Sequence, residues 1–100
     1  MTIRHIVTWS MAADDPETRA AHAAEVVARL RALEGVIPSI RAMSVGVDAV
    51  YPEANADAAL VADFDDVAGL EEYIHHPAHQ EVVPFIRSVA AARMAVDLDV

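Results

Sequence analysis

Three of the chain's five histidines fall within the run Tyr73-Ile74-His75-His76-Pro77-Ala78-His79, and a fourth, His5, lies near the start. Imidazole is the side chain best matched to giving and taking protons near neutral pH. Tyr73 adds a hydroxyl that can orient a carbonyl group or share a proton with an imidazole. Such a set suits general acid–base catalysis, to which a positioned imidazole contributes about 10²–10⁴-fold. A small apolar cavity would hold a reactive chain folded, and His5, Val7, Trp9, Val27, Leu30 and Leu60 are its expected walls, with His76 at its edge.

Each of these residues also has a plainer use. His76 stands directly before Pro77 and suits the N-cap of a helix, where a polar side chain meets free N–H groups. His75 suits a solvated position. A helical His79 facing a core can be a hydrogen-bonded buried polar group and nothing more, and Trp9 and Tyr73 suit a core. A metal site built from His75, His76, His79 and Glu72 competes with the base chemistry. The break at Pro77 spoils its helical registration, and the spacing matches no zinc signature. No nucleophile stands out, since cysteine is absent and Ser10, Ser39, Ser44 and Ser88 lack an elbow motif. The three glycines are too far apart to form a phosphate loop.

The elements that must position these residues follow from periodicity. Thr2 to Ser10 alternates, with His5, Val7 and Trp9 on one face and Arg4, Ile6 and Thr8 on the other, which predicts a strand. Asp15 and Pro16 open a helix as N-cap and first helical residue. Ala23, Val26, Val27, Leu30 and Leu33 recur at helical spacing, and Gly35 suits a left-handed C-terminal cap. Ile40–Val47 and Ala58–Phe64 read as strands joined by a loop, with a bulge or bend at Gly46-Val47-Asp48. Asp65 and Asp66 cap a short helix carrying Leu70 and Tyr73. Pro77 ends it, and Pro84 predicts a kink or fresh start in the next. Ala91 to Val100 alternates again as a fourth strand. No repeat or linker divides residues 1–100, so one domain is expected.

The resulting order is the split βαβ arrangement, an α+β, ferredoxin-like βαββαβ domain with a four-stranded antiparallel sheet. Helices cover one face of that sheet, and the other, expected to carry Ile6 and Val45, calls for a second copy. A chain of 100 residues that is 55% hydrophobic has apolar surface to spare for such a contact. The formal charge is −9, with no lysine, and the seven arginines are scattered singly. That excludes a basic stripe for nucleic acid and disfavours an anionic membrane surface. The lack of cysteine, of a leader-like start and of a long apolar run points to a cytoplasmic protein. Alanine with arginine in place of lysine suggests a GC-rich bacterial genome.

Four pieces in order, Arg4-His5-Ile6-Val7, Ile37-Pro38, Gly46-Val47-Asp48 and His76-Pro77-Ala78-His79, carry a resemblance. The chain resembles the stress-responsive A/B barrel family, called Dabb, whose members form dimeric α/β barrels. The resemblance covers essentially the whole chain and implies a homodimer. The family holds proteins of no known reaction and a plant polyketide cyclase, to whose catalytic segment Tyr73–His79 is similar. Carried over, His79 is the general base for an aldol closure and Tyr73 its hydrogen-bonding partner, with no metal or organic cofactor. The implied function is binding of a small apolar carbonyl compound, with cyclase- or lyase-like turnover. A non-catalytic, stress-responsive binding dimer and a cofactor-free monooxygenase are the alternatives.

Overall fold

The computed structural model describes residues 1–100. Strand β1 (Ile3–Met11) is buried at every second residue, as its alternation requires. Helix α1 (Pro16–Arg31) starts where Asp15 accepts from Thr18 N at 2.9 Å and from the Thr18 hydroxyl at 2.8 Å. Then follow β2 (Ala42–Val47) and β3 (Ala58–Phe64). Helix α2 (Val67–His75) is capped by Asp66, which accepts from Gly69 N at 2.8 Å. Helix α3 (Pro77–Val89) runs straight into β4 (Ala90–Asp99).

The strands form one antiparallel sheet in the order β2-β3-β1-β4. This is the ferredoxin-like βαββαβ fold, its second helix split at Pro77. Twenty buried residues make one core between sheet and helices, centred on Leu60, Phe64 and Val26, each 0% exposed. Leu60 is paired with Val7 on one side and Val45 on the other, so all three face the helices. Val45 thus belongs to the core and not to the open face, as register rather than local alternation decides. The open face carries Ile6 and Val61, paired across β1 and β3, with Met94, Val96 and Leu98 of β4 alongside.

Three further expectations are corrected. Gly35 does adopt φ +86°, but helix α1 has already ended at Arg31. Gly35 instead reverses the chain within a run of turns in which Val36 and Ile37 both donate to the Leu33 carbonyl. β2 pairs without interruption up to Val47, and the register shift lies between Ser10 and Met11 of β1. Of the kink or fresh start expected at Pro84, the fresh start is absent, since helix α3 is a single element from Pro77 to Val89. The bond Pro84 cannot donate would have gone to Gln80, and both residues are exposed, so water can serve that carbonyl.

Asp57 ties the start of β3 to its neighbours. Its carboxylate accepts from Met11 N at 2.6 Å and from the Arg19 guanidinium at 2.8 Å, while its own N–H donates to Trp9 O at 2.8 Å. Asp57→Ala leaves the amide of buried Met11 without this acceptor, and a loss of about 1–3 kcal/mol is expected in urea unfolding. Asp57→Asn, which keeps one acceptor oxygen, should lose less. Equal stability of all three proteins would show that the tie contributes nothing.

Candidate functional site

Between the sheet and the helices lies a cavity of about 340 Å³, at the small end of the range for small-molecule sites. His5, Val7 and Trp9 line it from β1, Leu60 from β3 and Leu30 from α1. Tyr73 and Ile74 come from α2, then His79, Gln80, Val83, Ile86 and Arg87 from α3, and Arg93 from β4. Seven of the residues expected at the site therefore meet here. Val27 and His76 do not. Val27 is 5% exposed, packed inside the core without lining the cavity, and His76 is spent on the helix cap described next.

The break at Pro77 builds the histidine geometry. His76 leaves the helix with φ −63° and ψ 137°, as a residue before proline must. Its Nδ1 accepts from Ala78 N at 3.1 Å. In an unbroken helix that N–H would have bonded the Ile74 carbonyl. The Ile74 oxygen is left free for other donors, taking one from Gln80 Nε2 at 2.7 Å and one from His79 Nδ1 at 3.0 Å. A carbonyl only accepts, so Nδ1 carries the hydrogen and Nε2 keeps the lone pair.

Burial lowers the pKa of His79, and the nearby His5 and Arg93 act in the same direction against the opposing pull of the Ile74 carbonyl. The imidazole is therefore neutral at pH 7. Burial likewise pushes the Tyr73 hydroxyl up to about 12, with Arg93 pulling the other way. That hydroxyl stays protonated and can only be a donor to a developing oxyanion. Tyr73 meets His79 ring against ring, centroids 4.5 Å apart, rather than through the hydrogen bond expected between them. It also packs on Phe64 at 5.2 Å and edge-on to His5 at 6.2 Å.

His5 is 6% exposed, and its Nδ1 donates to the Asp97 carboxylate at 2.5 Å. The two residues are partners in the β1–β4 ladder, so both point to the helix side. Asp97 fixes the tautomer of His5. His75 is exposed and lies beside Glu71 at 3.6 Å. The three clustered histidines thus point to three different tasks, and no group of three or more histidine or acidic residues is arranged to hold a metal ion.

Sequence reasoning missed Ile74, Gln80, Val83, Ile86, Arg87 and Arg93. His79, Val83 and Arg87 form one stripe at helical spacing, which was available as a signal. Arg93 faces the cavity because it pairs with Trp9 in the β1–β4 ladder, a relation visible only once the strands are aligned.

The fold and the histidine-lined cavity define a class, that of ferredoxin-like domains with a pocket between sheet and helices. Within it the chain belongs to the family of the stress responsive A/B barrel domain, Dabb, whose model matches residues 3–100. A dimeric protein of unknown function from Bacteroides fragilis is 25% identical, with a TM-score of 0.88 over 99% of this chain and 96% of that one. A dimeric ferredoxin-like protein of unknown function from Thermobifida fusca is 30% identical, with a TM-score of 0.84 over 100% and 92%. A hydroxynitrile lyase from Passiflora edulis shares the fold at 16% identity, with a TM-score of 0.79 over 99% and 93%. No curated protein matches the chain. No helix is long and apolar enough to cross a membrane.

Proposed function

We propose that this chain is a homodimeric, cofactor-independent enzyme in which each subunit binds a small carbonyl compound in the cavity and His79 removes a proton beside the carbonyl. The observation that carries this reading is the Nδ1–H bond from His79 to the Ile74 carbonyl. It leaves Nε2 as a bare base in a largely apolar cavity beside a tyrosine that stays protonated.

In the step proposed, the C–H bond breaks and its proton moves to His79 Nε2. The electron pair moves through carbon to the carbonyl oxygen, which takes a hydrogen bond from Tyr73. The enolate carbon then attacks a second carbonyl carbon of the same molecule, forming one C–C bond. The new alkoxide takes the proton back from the imidazolium, so nothing is oxidised and the base is regenerated. His5, held by Asp97, flanks Tyr73 and steadies the enolate end of the substrate. Val7, Trp9, Leu30 and Leu60 hold the apolar body and exclude water. The dimer is supported by the open face with its apolar residues and by the two dimeric relatives of unknown function.

Trp9, the only tryptophan, lines the cavity and reports on its contents. Titration of a panel of ketones and polyketide mimics should give saturable changes in Trp9 fluorescence with the wild type. His79→Ala should weaken or abolish them with secondary structure unchanged. Silence across the panel would sink the pocket reading. Equal binding by both proteins would favour a binding dimer in which His79 is a packing residue.

A further inference from the structure

We propose that the compound bound in this cavity carries a carboxylate, which Arg93 and Arg87 receive at the cavity mouth; the inference rests on the proposed carbonyl-binding site and names its substrate class. The seven arginines divide sharply. Arg4, Arg19, Arg29 and Arg41 each pair with an acidic side chain. Arg31 donates to the Val45 carbonyl at 2.8 Å. Arg87 and Arg93 have no ion pair and no hydrogen bond to the protein, and these two line the cavity.

Their freedom is not for lack of acids. The chain has 16 acidic residues against seven basic ones. None of the 13 residues around the cavity is acidic, and Asp97, near by on β4, is engaged by His5. A second, shallower groove is lined by Arg87 and Arg93 together with Trp9, Ile86 and the start of β4. The two guanidinium groups therefore stand on the rim shared by the cavity and that groove. Arg93 is paired with Trp9 and so lies on the helix side of the sheet. It points away from Met94 and the open face, and dimer formation through that face leaves it available to the cavity.

A planar guanidinium matches a carboxylate in geometry, and its charge offsets the cost of bringing an anion into a partly dry site. Arg93 lines the same cavity as Tyr73 and His79. A carbonyl compound anchored by its acid group at the rim would place its apolar body and carbonyl inward, toward Tyr73 and His79. Of the possible anions the carboxylate is favoured over a phosphate, since most of the lining is hydrophobic and burying a second negative charge there costs more.

The test uses the intact dimer and a matched pair of probes, benzoylpropionate and its methyl ester, titrated calorimetrically. The wild type should bind the acid roughly tenfold to a hundredfold more tightly than the ester, in line with charge-assisted hydrogen bonds. Added salt should narrow the gap. Arg93→Gln should lower affinity for the acid to that for the ester, leave the ester unchanged, and keep the thermal midpoint; Arg93→Lys should retain part of the preference. Equal wild-type affinity for both probes overturns the inference while leaving the pocket intact. Equal weakening of both by Arg93→Gln overturns it too, since the arginine would then act by packing. Binding of neither probe overturns this inference together with the carbonyl-site reading.

Discussion

Replacing His79 with glutamine should slow exchange of the α-protons of a bound ketone by about 10²–10⁴-fold in deuterated water, the usual contribution of a positioned base. Glutamine keeps an amide that can donate to the Ile74 carbonyl, so the fold should hold. The assay needs no knowledge of the final product, because proton removal alone labels the carbon. Unaltered exchange in the variant would remove His79 from the chemistry. The pH dependence has a definite sign. Burial lowers the His79 pKa, so exchange should rise along a limb whose midpoint lies below about 6.5, the ordinary histidine value, and then level off. The same lowering links folding to pH: the stabilisation from a neutral buried His79 is present above about 6.5 and is lost as pH falls through the folded value. The wild-type melting temperature should therefore drop more steeply on acidification than that of His79→Gln.

The second large effect is expected on the opposite face of the sheet. Val61 sits in the middle of that face, paired with Ile6 and Ser44, and Ile6 is paired in turn with Val96. Met94 is 75% exposed and Val96 50% in the single chain, and no helix covers them. In the proposed dimer a second copy buries this surface. Val61→Asp places an unpaired carboxylate in it, at a cost of several kcal/mol, and should weaken association by on the order of a thousandfold. Light scattering should then give half the wild-type mass while circular dichroism is retained. An unchanged dimer would show that subunits meet elsewhere. A wild type already monomeric would show that the face meets no second copy.

Much of the fold was legible because the controlling signals are local. β1 alternates without a break, Ala58–Phe64 is bounded by turn residues, and Pro77 dictates the conformation of His76 on steric grounds alone. What failed to show depends on partners distant in sequence. Val45 could be assigned to either face until its register opposite Leu60 was known. Gly35 has the positive φ expected of it, yet the helix stops earlier, and no residue near Arg31 announces that end. Pro84 is tolerated because its side of α3 is wet, and wetness is a property of the packed molecule. At the site, His5 and Trp9 could be placed from strand parity, while Tyr73 and His79 were joined by the family resemblance. Arg93 could not, because β4 begins opposite the register shift at Ser10 and Met11, which decides its inward face. The hydrogen bond between His79 and the Ile74 carbonyl also lay beyond reach, as it depends on where the His76 side chain goes.

The two inward histidines differ in what steadies them. His5 leans on the Asp97 carboxylate. His79 leans on an uncharged peptide oxygen, and an imidazolium formed there has only a dipole in attendance, with Arg93 repelling it. Such a cation is short-lived. His79 is suited to lending and reclaiming, in chemistry where the proton taken at one atom is returned to another within the same turnover.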